Sequence, residues 1–335
     1  MRLKTFACSH PKTPDAVTLK ECGACQHRPF SGRTLLLRHH LSPGDVLVMT
    51  AAIHSLHKAH PGKFRTAVET SADAIFEHNP DVITKADALA AKAERIEMHY
   101  PAINECNQRA IHFMQGFCEH LGVSLGVPLP LLTNRPHVYL SDQEKGWMHQ
   151  VQEVTKRPTK YWLVCAGRKG DYTAKFWGLS AYQSVVDRLR GKVQFVQIGA
   201  SDHHHPPLRG VLNLVGKTNL RQLIRLAWHA QGGLGGVTLL QHLMAAHEKP
   251  YACILGGREP VTWNTYPRQQ TFHAIGALDC CQSGGCWKSR VVPLGDKDEK
   301  DNSLCRYPTF GEEAVPKCMA MISPAEVADR IAAFA

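Results

Sequence analysis

Five cysteines, Cys280, Cys281, Cys286, Cys305 and Cys318, fall within 39 consecutive positions near the end of the chain, with Gly284-Gly285 between them. Thiolates at this density bind thiophilic metals. Four of them, Cys280 or Cys281 with Cys286, Cys305 and Cys318, suffice for a tetrahedral zinc or iron site. A closed four-thiolate shell leaves no position for substrate, so such a site is structural. Cys8, His10, Cys22, Cys25 and His27 crowd into the first thirty residues. The Cys22-x-x-Cys25 pair is a chelating knuckle, and Cys8 with His10 or His27 completes a candidate second metal site. Reduced thiols in a loose N-terminal arm are the alternative.

The other stretch that carries chemistry is Gly232 to Pro260, GGLGGVTLLQHLMAAHEKPYACILGGREP. Its spacing predicts a glycine-rich turn over Gly232 to Gly236, an apolar helix carrying His242, and a strand YACILGG that ends on Arg258-Glu259-Pro260. Glycines at the mouth of a helix let backbone N–H groups approach an anion, and the helix N-terminus favours negative charge. The unit therefore reads as βαβ facing a phosphate or diphosphate, against the plainer alternative of a buried helix between two strands.

Elements on both sides must position these groups. Arg33 to Leu37 reads as a strand, HHLSPGD as a turn, and VLVMTAAIHSLHKAHPG as a helix stopped by Pro61-Gly62. This is the opening of a Rossmann-like unit without GxGxxG. Asp45 falls in the first helical turn at the strand's carboxyl end, where open α/β sheets place ligands; an N-cap is its ordinary alternative. Lys63 to Glu69, Asp81 to Thr84 and Arg95 to Met98 read as further strands, with helices around Ala72 to Glu77, Ala86 to Ala91 and Asn107 to Leu121. Gly122 to Arg135 is rich in Gly and Pro, and residues 141–158 read as the connection to a second domain. There, KYWLVCAGRKG, VQFVQIGA and VLNLVG read as strands, and SAYQSVVDRLRG and TNLRQLIRLAWHA as helices, the latter capped by Thr218 or Asn219. Strands alternating with helices at this pace predict a parallel sheet covered on both faces. Lys175 precedes the first helix of this half, where a lysine can neutralise a diphosphate leaving group or simply be solvated. Trp147, Trp162, Trp228, Cys106, Cys118, Cys165 and Cys253 read as core, and His203-His204-His205 as an exposed loop. Ser323 and Pro324 open the last helix.

At 335 residues with 44% hydrophobic side chains, the chain suits two α/β domains. Its 39 Lys and Arg against 29 Asp and Glu leave a net charge of +10. That surplus suits an anionic ligand or a peripheral position at an acidic inner-membrane surface. No RNP-like or helix-turn-helix pattern accompanies it, which argues against nucleic acid. The N-terminus lacks a signal-peptide core, and no run approaches the roughly 18 apolar residues of a membrane helix. A cytoplasmic location is expected, and in that reducing compartment the 12 cysteines are metal ligands or buried thiols rather than disulfides.

The order of these pieces resembles glycosyltransferase family 9, the family of the ADP-heptose:lipopolysaccharide heptosyltransferases. The residues that carry the resemblance are Gly44-Asp45-Val46-Leu47 with Thr50 and Ala52-Ile53, Lys175-x-Trp177, Leu214 to Arg221, Thr238, His242-Leu243-x-Ala245-Ala246 and Lys249-Pro250. The cysteine-rich tail looks like the iron-binding motif of bacterial autotransporter heptosyltransferases.

The resemblance implies a GT-B fold: an N-terminal arm (1–30), a Rossmann-like acceptor domain (31–145), a Rossmann-like donor domain (146–267), and a cysteine-rich tail with a C-terminal helix that crosses back to the first domain (268–335). It also implies an inverting transfer of a sugar, heptose for choice, from a nucleotide-diphospho-sugar, ADP-activated for choice, to a hydroxyl on a glycan, lipopolysaccharide or protein. Asp45 matches the catalytic base and Lys175 the diphosphate clamp. Gly44, Gly199, Gly235, Gly236, Thr238 and His242 fall on the donor side. Lysine and helix amides facing the phosphates imply no catalytic divalent ion, while iron or zinc is expected on the tail cysteines. One position departs from the pattern: Val237-Thr238-Leu239 stands where Asp-Thr-Gly is usual, so a catalytically silent nucleotide-sugar-binding or partner-recruiting homologue is the alternative.

Overall fold

The computed structural model describes residues 30–294 and 303–334, with a short antiparallel backbone pair at residues 5–6 and 17–18. The candidate metal site of Cys8, His10, Cys22, Cys25 and His27 lies outside the described residues.

Two parallel sheets organise the chain. In the first, β1 (Arg33–His39) lies between β2 (Phe64–Thr70) and β3 (Glu94–Glu97). Leu35, Leu36 and Leu37 are all buried, as a central strand covered on both faces requires. Helix α1 (Pro43–Ala59) follows β1, with Ser42 at its N-cap and Pro in its first turn. Helix α2 (Phe113–Leu125) packs along α1 and ends on Gly126, whose φ of 67° is the left-handed stop glycine tolerates best.

Three expected elements shrink. Asp81 to Thr84 forms only the single bridge Thr66 to Val82. Ala72 to Glu77 holds one 3₁₀ turn, Asp73–Ile75. The helix expected from Asn107 begins at Phe113, where His112 caps it by accepting from the Met114 amide, and the Asn107 side chain is committed elsewhere, donating to Gly285 O at 2.8 Å. The segment 141–158 contains two short helices, Asp142–Gly146 and Gln150–Thr155. Trp147 and Trp228, expected in the core, are 47% and 38% exposed. Each instead lays its ring against a cation, Arg225 at 5.2 Å and Lys145 at 5.5 Å.

The second sheet comprises β4 (Trp162–Cys165), β5 (Phe195–Gln197), β6 (Leu212–Asn213), β7 (Gly232–Gly235), β8 (Tyr251–Gly256) and β9 (Gln269–His273), in the spatial order β9-β8-β7-β4-β5-β6. This is the dinucleotide-fold order, whose switch point lies between the first and fourth strands, here β4 and β7. Helices α3 (Leu179–Arg188), α4 (Leu220–His229) and α5 (Leu239–Ala246) connect the strands, and Asn219 closes a capping box with Gln222 on α4.

Gly232 to Gly235 is strand, not turn; only Gly236, Val237 and Thr238 turn the chain into α5. The glycines make room for large neighbours: a Cβ on Gly232 would lie 2.7 Å from the Trp162 ring, and one on Gly235 2.7 Å from the Tyr251 hydroxyl. Gly232→Ala is therefore expected to cost about 1–3 kcal/mol through overpacking, read as a lower denaturant midpoint at unchanged slope.

The last helix, α6 (Pro324–Ala332), packs on α3. It does not cross back to the first sheet, because its apolar residues Val327, Ala328 and Ile331 are already buried with Val185, Val186 and Leu189. The two sheets share core through other elements. Val46 and Leu47 of α1 pack with Leu163, Val196, Leu240 and Leu243, and Ala245, Trp263 and Tyr266 pack with the first sheet's residues.

Candidate active site

The crevice at the switch point is built by the carboxyl ends of β4 and β7 and by the turns that lead out of them. After β7, the Tyr251 hydroxyl donates to Gly236 O at 2.7 Å and fixes the turn. Thr238 then sits at the N-cap of α5 in extended conformation, and its hydroxyl makes no cap bond to the helix. The first amides of α5 are thus left to an anion, at the positive end of the helix dipole.

Lys175 closes the 3₁₀ turn Thr173–Lys175 after β4. Its ammonium lies 2.7 Å from Oε1 of Glu259, which comes after the carboxyl end of β8 and is only 3% exposed. Arg258 and Asn264 also donate to the Glu259 carboxylate. Burial would push this carboxyl up, but the charges of Lys175 and Arg258 and the hydrogen bonds from Lys175 and Asn264 outweigh it and hold the group at about 2. The Tyr172 ring lies beneath both cations, 5.8 Å from Lys175 and 5.3 Å from Arg258. With its side chain 28% exposed, Lys175 keeps donors for a ligand in the crevice.

Asp45 reaches the same place from the other sheet. Lying in the first turn of α1, its Oδ2 accepts from Ser42 Oγ at 2.7 Å and from the Tyr100 hydroxyl. Both bonds fall on one oxygen, so Oδ1 is left to accept. Burial first, then the charge of Asp45, raise the Tyr100 phenol above its usual range. Gly44 lets α1 meet α5: a Cβ there would lie 3.2 Å from His242 Cδ2. The His242 ring is buried and pairs through Nδ1 with the Tyr266 hydroxyl at 2.8 Å. Burial, followed by the charges of His112 and Lys175, pushes it down to about 3, so it is a neutral hydrogen-bonding group.

Asp45, Lys175, Gly44, Gly236, Thr238 and His242 therefore assemble. Gly235 lies within β7 behind them. Gly199 comes after β5 under the His205 ring, which a Cβ would approach to 2.4 Å; His205 also covers Gly167 and is not the open loop expected of the histidine run. Sequence reasoning gave no role to Glu259, Tyr100, Tyr172 or Tyr266. For Glu259 the signal was its place after the carboxyl end of an apolar strand.

Four of the five tail cysteines, Cys280, Cys286, Cys305 and Cys318, line a single cavity together with Lys288, Arg306 and Lys317. Cys281 turns away into the core: its Sγ donates to Leu278 O at 3.2 Å and accepts from the Gly276 amide at 3.3 Å. Burial, then the neighbouring thiols, push Cys280 up to about 11. Soft donors and cations thus share one cavity, although no three of these sulfurs lie within 4.8 Å of one another. Among the described residues, the one group of His, Cys or acidic ligand atoms all within 4.8 Å of one another lies elsewhere, at Glu77, His78 and Glu144. There Arg221 Nε already lies 2.6 Å from Glu144 and 3.2 Å from Glu77, so the cluster is an ion-pair network.

Residues 120–283 match the sequence profile of glycosyltransferase family 9 (heptosyltransferase). No curated protein sequence matches the chain. Solved structures share its fold at low identity. The glycosyl transferase family 9 protein from Veillonella parvula superposes with a TM-score of 0.63 at 12% identity, covering 90% of this chain and 97% of that one. ADP-heptose LPS heptosyltransferase II of E. coli gives 0.59 at 14%, covering 90% and 98%. The iron-containing dodecameric glycosyltransferase TibC of enterotoxigenic E. coli gives 0.57 at 16%, covering 90% and 76%. The profile match to glycosyltransferase family 9 spans residues 120–283, just under half of the chain, and runs through the β4–β7 switch point, while the solved structures share the fold over nine-tenths of its length.

Proposed function

We propose that the chain is an inverting glycosyltransferase of the GT-B kind, taking a sugar from a nucleotide-diphospho-sugar in a cleft between an acceptor domain (31–145) and a donor domain (146–267). The observation that carries this reading is the meeting of Asp45, from the first sheet, with Lys175 and the α5 amides, from the second. An acceptor hydroxyl gives its proton to Asp45 Oδ1 while its oxygen attacks the anomeric carbon from the face opposite the diphosphate. The carbon–oxygen bond to the diphosphate breaks, and the nucleoside diphosphate leaves with its charge met by Lys175 and the helix N-terminus. One displacement inverts the anomeric centre.

ADP-heptose is the donor of first choice, since a TibC structure contains ADP-D-β-D-heptose and an E. coli heptosyltransferase structure contains ADP. The acceptor is a hydroxyl on a glycan, lipopolysaccharide or protein, reached from the cytoplasm; no helix among the described residues is long and apolar enough to cross a membrane. Cys280, Cys286, Cys305 and Cys318 would hold an iron or zinc ion, whose contribution is to cross-link the tail (268–335).

The test is thermal unfolding of the purified protein against ADP-, GDP-, UDP- and dTDP-sugars. A ligand at a hundred times its dissociation constant adds about 2.7 kcal/mol. An upward shift with one nucleotide alone, followed by sugar transfer, is the expected result; no shift with any would overturn the donor site. Val237, an apolar residue in the turn before Thr238, favours the second reading, a silent nucleotide-sugar-binding homologue. A shift without transfer to any hydroxyl acceptor would select it.

A further inference from the structure

At the opposite end of α5 from the crevice is an open pocket of about 360 Å³, solvent-side space included. It lies where the chain leaving the first sheet, at Asn134 and Arg135, crosses the amino ends of β8 and β9. Arg135, Lys249 and Arg268 bring three cations to its walls. Arg135 Nη1 donates to Ala246 O at 2.6 Å, and its carboxylate neighbour among the described residues is the exposed Glu248 at 3.5 Å. Lys249 and Arg268 have no acidic partner among the described residues. Burial and the adjacent Arg268 charge push the Lys249 ammonium down, as expected of a cation crowded by a like charge. Folding alone gives no return for holding two uncompensated cations together beside a third.

The floor is polar as well. Gln241 is fully buried, and its Nε2 donates to Asn264 O at 2.6 Å and Gln269 Oε1 at 2.9 Å, which fixes the amide's orientation. Its Oε1 has no hydrogen-bond partner. A buried acceptor without a donor is costly and is normally met by a ligand or an ordered water.

We infer that this pocket is a second anion site, separate from the donor crevice, which takes a phosphate monoester carrying a hydroxyl group, in the manner of a sugar phosphate. The phosphate is met by Lys249 and Arg268, with Arg135 completing the cationic wall, and the hydroxyl donates towards Gln241 Oε1. Such a ligand ties Arg135, on the segment leaving the first sheet, to the second sheet's β8 and β9, so its binding restrains movement of one sheet relative to the other. The inference stands independently of the transfer reaction, because it uses none of the crevice residues.

Calorimetric titration of the intact protein with glucose 6-phosphate and with inorganic phosphate, at matched ionic strength, tests it. Both probes are expected to bind, the sugar phosphate more tightly. Arg268→Gln and Lys249→Gln, substitutions at an exposed and a half-exposed side chain, are each expected to weaken binding at least tenfold, while Lys175→Gln leaves it unchanged. Loss of binding in Lys175→Gln with retention in the other two would place the phosphate in the crevice and overturn the inference. Absence of binding to the wild-type protein at millimolar probe would overturn it too. Donor binding is read separately, by the nucleotide-sugar series.

Discussion

Asp45→Asn is expected to lower sugar transfer by on the order of a hundredfold or more while leaving the protein folded. The asparagine keeps the shape of the side chain and an oxygen that accepts from Ser42 Oγ, so the first turn of α1 keeps its local bond. It loses the ability to take a proton at the position of Oδ1. Base removal acts on the chemical step, so kcat should fall with little change in donor affinity, measured by calorimetry on the same preparation. Activity within a factor of a few of wild type would remove Asp45 from the base role. Lys175→Ala should also lose about a hundredfold or more, through weaker stabilisation of the departing diphosphate, but it is a less clean experiment. Glu259 is 3% exposed, and taking away one of its two cationic partners leaves a buried carboxylate short of compensation. Part of that loss would be structural, and the Asp45 variant is free of this ambiguity.

The sequence made the strands of both sheets visible because their apolar runs are bounded by turns, and the parallel arrangement was legible in the alternation with helices. Which strands pair was not visible: the switch point between β4 and β7 depends on the order in the sheet, and that order is a property of packing. Gly232 to Gly235 misled because glycine alone has no strand preference; the strand exists because Trp162 and Tyr251, from neighbouring strands, fill the volume that side chains on β7 would occupy. Asp45 drew attention by its place after a strand end, and Lys175 by its place before a helix. Glu259 also follows a strand end, but that place alone gave it no role, because the role comes from Lys175, which lies far upstream and reaches it only through the fold. In the same way, the apolar stripe of α6 announced a helix that must be covered, yet nothing in it says whether α3 or the first sheet does the covering.

The sequence could not choose between Cys280 and Cys281 either, since they are adjacent. The 3₁₀ turn Asp279–Cys281 separates them by pointing one thiol into the shared cavity and the other into the core. The resulting prediction is selective: the protein expressed with iron or zinc present should carry one metal ion per chain by elemental analysis. Cys280→Ser, Cys286→Ser, Cys305→Ser and Cys318→Ser should each lose it, whereas Cys281→Ser should retain it. A metal present at a thousand times its dissociation constant stabilises by about 4.1 kcal/mol, so chelation should lower the unfolding temperature of the wild type and of Cys281→Ser, but not of the other four. The effect should also reach the crevice. The Cys286 amide donates to Gly257 O at 3.2 Å, the Trp287 amide to Arg258 O at 3.0 Å, and Arg258 Nε to Lys288 O at 2.8 Å, so the cysteine loop is paired with the backbone directly before Glu259. Trp287 Nε1 in turn donates to Asn107 Oδ1 at 2.9 Å, across to the segment that precedes α2. Releasing the tail loosens the Glu259 carboxylate that holds Lys175. Metal removal should therefore weaken nucleoside diphosphate binding and shift Trp287 fluorescence together. If chelation strips the metal yet leaves both unchanged, the cysteine cavity is uncoupled from the crevice; if the wild type carries no metal, the four thiols are not a metal site.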